Sequence, residues 1–388
     1  MKITVVTDIG SFGALRDEWN ALLSTTNNDT PFLRWEWTFH YYEHMCKDQT
    51  LFLLLVRDNR EALRGIAPFV LRERRIITRR VFLEFIGQNY SYYLDIIAND
   101  ESGDDVAKEV VGYLFENRRR WDLINLVHLS DDAKLKTHLK TYSNAHRYCW
   151  RESIQDPCKV VKLPTSFDEY ILSLDKHFSQ TLKRSLRRME RDFDVELSVP
   201  EDAQSLMLLW HRFMDLHIER IQDKESTTIL SNKDFQEFYF SVAQAMFREH
   251  NPCLIALRFD KQIAGVLFGI TWKNTFYFVN IGYKKFSRYS LAVVLPVLCI
   301  ERSIMDGLAY FDALGGGGDY KEKMGGVDRG GIKIQVLKPM PLLENMAKNM
   351  ARKILNRRML DKAKNVIQAT FKCIIIFSAF FAKHNLST

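Results

Sequence analysis

The sequence predicts a mixed α/β (α+β) protein made of two similar domains and a basic helical tail. The first observation behind this prediction is a repeated order of elements: helices, then consecutive strand-like runs, then a helix and a final strand. The second is size, because 388 residues, 46% of them apolar, exceed the usual length of one domain. We place the domains at 1–160 and 161–338 and the tail at 339–388.

The first half begins with a predicted strand at 2–7. Leu15, Trp19, Leu22 and Leu23 then recur at helical spacing, which predicts a helix over 14–23. Pro31 opens a second helical stretch that reads FLRWEWTFHYYEHM. The remaining predicted elements of this half are strands at 51–57, 65–72, 81–86, 93–97 and 123–129, and helices at 104–118 and 134–142.

The second half repeats this order. A predicted strand at 159–163 opens it, and an apolar run at 332–337 closes it as the last strand. Between them lie predicted helices at 166–191, 203–220, 233–250 and 290–306, and predicted strands at 194–199, 253–259, 263–272, 275–283 and 310–314.

Composition narrows the function classes. A charged fraction of 27% is ordinary for a globular protein and argues against disorder. No apolar run reaches the roughly 18 residues of a membrane-spanning helix, and the N-terminus does not resemble a secretion signal. The six cysteines form no C-x-x-C pair, so we expect reduced thiols in a cytoplasmic protein and no cysteine-based zinc site.

The net charge of +7 is concentrated in one segment. Residues 339–388 contain nine Lys/Arg and two acids, whereas residues 1–338 contain 46 basic and 46 acidic residues. The body is therefore not expected to bind polyanions such as nucleic acids generally. Apolar residues recur at helical spacing among the tail's basic residues, which favours an anionic membrane surface at the inner face as its partner. A helix docked on the body explains the same pattern.

Several short motifs follow one another in a recognisable order. They are Trp35, Glu36 and Trp37 after Pro31; Phe85, Ile86 and Gly87 before Tyr93, Leu94, Asp95 and Ile96; Leu216 and His217 with Arg220; and Phe311 and Asp312 before Gly315, Tyr320 and Lys321. This order resembles the cellulose-biosynthesis-associated (CelD/BcsL-type) acetyltransferases of the GNAT superfamily and the related Fem-type peptidyl transferases. The resemblance implies two tandem GNAT-like domains and acyl-CoA, such as acetyl-CoA, as co-substrate, with no tightly bound cofactor.

The resemblance also implies a set of site residues. The candidate catalytic residues are Asp312, Tyr320, Lys321 and His217. The candidate acyl-CoA contacts are Tyr289, Ser290, Leu291 and Ala292. The candidate acceptor contacts that the resemblance implies are Trp35, Glu36, Trp37, Asp95 and Arg220. Arg184 and Arg187 are added because they lie on the basic face of the helix predicted at 166–191. One departure stands out, because the family usually has a Pro-Gly-like turn where this chain has Leu291 and Ala292. The missing glycine puts close phosphate approach at this helix start in doubt.

The chemistry of each candidate leaves two interpretations open. Asp312 ends a strand before four glycines and is either a base that orients the amine or a cap of the following loop. Tyr320 and Lys321 are either a proton donor and an oxyanion or phosphate contact, or a packed ring beside a solvated amine. The basic residues at 183–191 form either an anion grip or a solvated helix face. His217 is either a base or substrate contact, or a satisfied buried histidine.

Residues 40–44 spell H-x-x-E-H, the pattern of inverted zinc proteases. Both histidines would lie on one helical face, but the sequence offers no convincing third ligand. We therefore expect no metal site.

These observations favour an N-acyltransferase that uses acyl-CoA and a small amine or amino sugar, in polysaccharide or envelope biosynthesis. One alternative is a Fem-like transferase that uses aminoacyl-tRNA, against which the neutral body counts. A second alternative is a catalytically silent GNAT-like assembly factor.

Overall fold

Two mixed sheets organise the part of the chain that the computed structural model describes, residues 1–75, 79–222, 229–316 and 318–338. Both sheets belong to one compact unit, Met1–Leu337. The predicted helical tail at 339–388 lies outside the described residues and stays a prediction. No helix among the described residues combines the length and the apolar character needed to cross a membrane.

The N-terminal half supplies most of the first sheet. Its strands are β1 (Lys2–Val6), β2 (Gln49–Arg57), β3 (Leu63–Arg75), β4 (Arg79–Phe85), β5 (Ile97–Ala98), β6 (Leu123–Leu129) and β7 (Cys149–Ile154). Its helices are α1 (Ile9–Gly13), α2 (Arg16–Ser24), α3 (Trp35–Met45), α4 (Gly103–Glu116) and α5 (Leu135–Ala145). Residues 51–56 of β2 are all buried, and α4 packs against this strand.

The C-terminal half forms the second sheet, whose order is β14-β8-β13-β12-β11-β10-β9. Its strands are β8 (Cys158–Lys162), β9 (Val195–Ser198), β10 (Leu254–Phe259), β11 (Gln262–Trp272), β12 (Thr275–Tyr283), β13 (Tyr310–Asp312) and β14 (Val327–Arg329). Its helices are α6 (Phe167–Ser173), α7 (Lys176–Asp192), α8 (Ala203–Gln222), α9 (Lys233–Arg248), α10 (Leu291–Met305) and α11 (Asp319–Lys323).

The last strand, β15 (Ile332–Leu337), returns to the first sheet. It lies between β6 and β7 and pairs antiparallel with both, so that Ile334 stands opposite Leu126 and Glu152. The chain therefore crosses to the second sheet after β7 and comes back after β14. The sequence did not anticipate this return, which interlocks the two halves. The domain boundary near residue 160 stays a prediction.

The architecture confirms the predicted fold class, with differences in single elements. The helix predicted at 166–191 is two helices, because Leu174 is extended and Asp175 caps α7 by accepting the N–H groups of His177 and Phe178. The strand predicted at 93–97 is wrong for most of its length. Only Ile97–Ala98 forms a strand, Leu94 makes a single bridge to Leu129, and Tyr93 has a φ of 58°. The sequence missed β7, whose burial pattern is almost wholly exposed and lacks alternation.

Candidate functional site

The carboxylate of Asp312 lies buried where β13 ends. The Tyr93 hydroxyl donates to its Oδ2 at 2.7 Å, and the Leu314 N–H donates to its Oδ1 at 2.8 Å. Burial raises the pKa of Asp312, although these two hydrogen bonds and the nearby charges of Arg329 and Lys321 act in the opposite direction. A residue of the first half thus completes a site whose carboxylate comes from the second.

Lys321, on α11, points back into the loop that follows β13. Its Nζ donates to the carbonyl oxygens of Ala313 and Gly315, both at 2.7 Å, and to that of Leu314 at 3.4 Å. Burial lowers the pKa of this amine to about 8. The loop can turn its carbonyls toward one ammonium because Leu314 (φ 56°) and Gly316 (φ 88°) adopt left-handed conformations.

Gly315 has a further reason to be glycine. A Cβ at this position would lie 2.8 Å from Cε1 of Tyr92. The close approach of Tyr92 therefore explains one glycine of the run without a ligand. The loop is also tied to β8, since the N–H of Ala313 donates to the carbonyl of Lys159 at 2.8 Å.

Three residues that the sequence did not select surround Asp312. The Arg329 guanidinium lies over the Tyr93 ring, 4.2 Å from its centroid. Cys158 is buried beside Tyr93, and burial raises the pKa of its thiol to about 12, so it is not a thiolate at neutral pH. Tyr93 stands two positions before Asp95, the residue the sequence selected. No periodicity distinguishes the two, because the left-handed backbone at Tyr93 breaks the expected strand.

A second group of candidates lies where α8 crosses β12. His217 is buried, and its Nδ1 lies 3.0 Å from the carbonyl oxygen of Ile281 and 3.4 Å from Nη2 of Arg220. Burial lowers the pKa of His217 to about 4, so the ring is neutral at physiological pH. Helix and strand approach closely at Gly282, where a Cβ would lie 2.7 Å from the carbonyl of Phe213.

Arg220 and Tyr320 belong to the same group. The Arg220 guanidinium lies 5.4 Å from the centroid of the Tyr283 ring, at the end of β12. Burial raises the pKa of Tyr320, with Tyr283 adding to the effect and the charge of Arg220 opposing it. The structure therefore brings His217, Arg220 and Tyr320 together, and chain continuity joins Tyr320 to Lys321 and the Asp312 site.

The strands β12 and β13 are paired over only part of the length of β12. β12 and β13 are parallel and pair only through Thr275–Tyr277 and Tyr310–Asp312, whereas β12 continues to Tyr283. α10 begins at Leu291, after the loop that follows β12. The carbonyl of Ser290 accepts the N–H groups of Val293 and Val294, and its side chain makes no cap hydrogen bond. Tyr289 donates its hydroxyl proton to Asp192 at the end of α7.

α7 is amphipathic, as predicted. Leu182, Leu186 and Met189 are buried, while Arg184 and Arg187 are exposed. α7 packs against α10, and the charge of Arg188 reaches Tyr289. The basic face of α7 therefore approaches the start of α10. Acceptor contact by Arg184 and Arg187 stays a prediction.

The four predicted acceptor contacts of the N-terminal half lie in the protein core. Glu36 accepts hydrogen bonds from Nε of Arg34 (2.9 Å) and Nε of Arg16 (2.8 Å). The indole N–H groups of Trp35 and Trp37 donate to a backbone carbonyl and to a serine hydroxyl. Asp95 accepts the N–H groups of Ile96 and Lys134, and burial raises its pKa to about 6. These internal hydrogen bonds explain how the four polar side chains can lie in the core. Their contact with a substrate stays a prediction.

One further cluster lies on α3. His40, Glu43 and His44 hold potential ligand atoms within 4.8 Å of one another. They could hold a metal ion.

Residues 176–322 match the acetyltransferase (GNAT) domain family. This stretch runs from α7 into α11 and includes Asp312, Lys321 and the start of α10. It confirms a GNAT acetyltransferase domain, while membership in the narrower CelD/BcsL-type family stays a prediction. No curated protein matches the chain.

Solved structures resemble the whole body of the chain. FemX is 10% identical, with a TM-score of 0.59 over 89% of this chain and 99% of its own. The C-terminal domain of a putative lysylphosphatidylglycerol synthetase from Agrobacterium fabrum is 11% identical, with a TM-score of 0.51 over 89% of this chain and 97% of its own. L-PGS from Bacillus licheniformis is 11% identical, with a TM-score of 0.51 over 85% and 94%. At 10–11% sequence identity, these similarities show a shared fold alone.

Proposed function

We propose that the protein is an N-acyltransferase that moves an acyl group, with acetyl favoured, from acyl-CoA to an amine. The observation that carries the proposal is the coincidence of the GNAT match with the separation of β12 from β13. A strand edge without a neighbouring strand suits the extended, amide-bearing pantetheine arm of CoA. The start of α10, directly beyond β12, suits its diphosphate.

In this proposal the donor phosphates contact the N–H groups of Leu291 and Ala292, and Tyr289 and Ser290 shape the turn before them. Backbone N–H groups at a helix start bind anions whatever the side chains are. The lack of a glycine therefore alters how closely the phosphate approaches and does not remove the donors. Arg188 and Arg288, whose charges both act on Tyr289, add positive potential to this end of the site.

The reaction forms a C–N bond and breaks a C–S bond. The amine gives up a proton, its nitrogen attacks the thioester carbon, and the departing thiolate takes up a proton. Asp312 is the proposed acceptor of the amine proton, because burial raises its pKa and so makes its carboxylate a stronger base. Tyr320 is the proposed proton donor to the thiolate, and neutral His217 with Arg220 contacts the acceptor. Lys321 acts as a positioning residue, since its contacts hold the loop at 313–315.

The acceptor class that we propose is a small amine or an amino sugar in polysaccharide or envelope biosynthesis, and the family resemblance alone supports it. A Fem-like transferase that uses aminoacyl-tRNA is the second candidate. The observation in its favour is the exposed basic face of α7, which suits a phosphate backbone.

The test combines acyl-CoA with panels of amines and amino sugars and follows products by mass spectrometry. Acceptor-dependent release of CoA, lost in Asp312→Asn, supports the proposal. Transfer from aminoacyl-tRNA, with salt-sensitive tRNA binding, would favour the second candidate instead. If neither donor is consumed, and Asp312→Asn and Lys321→Ala behave like the natural protein in cells, the assembly-factor hypothesis is preferred.

We further propose that the protein is cytoplasmic and that residues 339–388 bind an anionic membrane surface at its inner face. The support is the segment's excess of seven positive charges. A chain that ends at Lys338 should lose binding to phosphatidylglycerol vesicles and keep transfer to soluble acceptors. If the shortened chain instead unfolds, the segment is a structural part of the body.

A further inference from the structure

We propose that His40, Glu43 and His44 form a site for a transition-metal ion, with zinc as the best match, at the contact of α3 with α9. The sequence argued against a metal because it offered no ligand beyond this helix. The structure supplies two more polar groups, Glu237 and Ser241, from a helix almost 200 positions further along the chain. This inference is independent of the proposed acyl transfer.

Two of the three distances between the donor atoms are already close to those of a zinc site, and all three atoms lie within 4.8 Å of one another. Oε2 of Glu43 lies 3.0 Å from Nδ1 of His40 and 3.5 Å from Nε2 of His44. Ligands at the usual 2.0–2.2 Å from a tetrahedral zinc ion stand about 3.4 Å apart. The two imidazole rings are near parallel, at 28° with centroids 6.2 Å apart, so small side-chain rotations bring all three atoms around one ion.

The contacts from α9 are those of an outer shell. Oε2 of Glu237 lies 3.7 Å from Nδ1 of His44, the nitrogen that faces away from the cluster. A carboxylate behind a ligating histidine holds the ring in the correct tautomer and raises its basicity. The Ser241 hydroxyl lies 3.0 Å from Nε2 of His44, the nitrogen proposed to bind the ion. When Nε2 binds the metal, this hydroxyl has to turn away from it and can then hydrogen-bond a metal-bound water. A helix in isolation would offer none of these contacts.

The surroundings suit a metal that enters from solvent. The side chains of His40 and His44 are 20% and 18% exposed, and that of Glu43 is 39% exposed. Two imidazoles and one carboxylate form the nitrogen and oxygen set that zinc accepts, with a fourth position left for water or a substrate.

The site would join the two halves of the molecule. α3 belongs to the N-terminal half and α9 to the C-terminal half, and the helices pack directly, with the rings of Trp37 and Phe238 5.0 Å apart. A metal bound on α3 and oriented from α9 stabilises the folded state by an amount that grows with the logarithm of the free metal concentration once that exceeds its Kd. None of its residues takes part in the proposed acyl transfer.

The test is a titration of the full, metal-stripped chain with zinc chloride by isothermal titration calorimetry, together with melting curves with and without zinc. We expect one equivalent to bind and the melting temperature to rise. His40→Gln, Glu43→Gln and His44→Gln should each weaken this binding at least tenfold. Glu237→Gln should weaken it about tenfold through the outer shell. Melting in EDTA checks that each variant is folded.

Two matched controls make the result specific. His138→Asn removes another helical histidine that contacts a carboxylate, Asp104, at 2.8 Å, and Cys149→Ser removes an exposed thiol. Both should bind zinc like the natural chain. The proposal is overturned if zinc fails to bind, or if the α3 variants bind it as tightly as these controls. Because three ligands are tested separately, one misfolded variant does not decide the outcome.

Discussion

The start of α3 and the loop after β13 both bury an acidic side chain, but the pKa of the buried acid shifts in opposite directions in the two regions. Burial acts to raise the pKa of Glu36, but the hydrogen bond and charge of Arg34 and the amide of Asn20 bring it below its ordinary value. At Asp312 burial prevails and the pKa is raised. In the first region the partners outweigh burial, whereas in the second burial outweighs two hydrogen bonds and the charges of Arg329 and Lys321. A raised carboxyl pKa of this kind is typical of reactive groups.

The backbone conformation of the two regions also differs. Around Glu36 it is helical, and Arg16, Arg34 and Glu249 close a ring of ion pairs with contacts of 2.7–2.9 Å. The loop after Asp312 takes left-handed conformations at Leu314, a non-glycine residue, and at Gly316. At a non-glycine residue such as Leu314 this conformation costs about 1–3 kcal/mol, and such residues tend to gather at functional sites. Buried charge alone therefore does not identify a site, and the strained loop beside Asp312 is what makes that residue the stronger candidate.

The largest expected effect is on catalysis at Asp312. Asp312→Asn should lower kcat/KM for acyl transfer by about 10²- to 10⁴-fold, since a positioned base contributes that much. The melting temperature should change little, because the amide oxygen can still accept the Leu314 N–H while the amide NH2 donates to the Tyr93 hydroxyl oxygen. Steady-state kinetics with acyl-CoA and the identified amine measure this. A loss below about threefold would mean that Asp312 only holds the loop. Asp312 would then be a structural acid like Glu36, and the proposed difference between the two regions would be wrong.

The converse effect is expected at Glu36. Glu36→Ala leaves Arg34 buried without this partner and should lower the free energy of unfolding by about 3–5 kcal/mol. Urea denaturation measures it, and kcat/KM of the folded fraction should stay near that of the natural chain. Glu61→Ala is the control, because its ion pair with Lys2 is exposed and should contribute at most about 1 kcal/mol. If activity falls while stability holds, Glu36 contacts substrate as the family resemblance implies.

A smaller effect is expected at Lys321, where stability and activity should change in opposite directions as the pH rises. Its amine has a folded-state pKa of about 8, below its ordinary value of 10.5, so between these values the unfolded chain binds the extra proton. This group therefore makes stability rise with pH in that window. Activity should fall there, because the uncharged amine has too few protons for three carbonyls. Lys321→Arg should move the activity decline to higher pH, and an unchanged decline would place its cause elsewhere.

The sequence predicted the parts of both regions that depend on local pattern. Helical spacing located α7, α8 and α10, and motif order led to Asp312, Lys321 and His217. It could not reveal Tyr93 or Arg329, because each reaches Asp312 only through the tertiary fold. Nor could it separate Glu36 from Asp312, since both are acids in family motifs. What distinguishes them is the arginine contacts of one and the burial of the other.

The smallest expected effect tests whether the donor end of the site belongs with the Asp312 loop. Tyr289→Phe removes the hydrogen bond to Asp192 that links the turn before α10 to α7. Such a bond contributes about 0.5–1.5 kcal/mol, so KM for acyl-CoA should rise about two- to tenfold with kcat unchanged. Tyr310→Phe, on a half-exposed ring of β13, is the matched control. A fall in kcat without a change in KM would mean that this turn acts on the reacting groups rather than on the donor's phosphates.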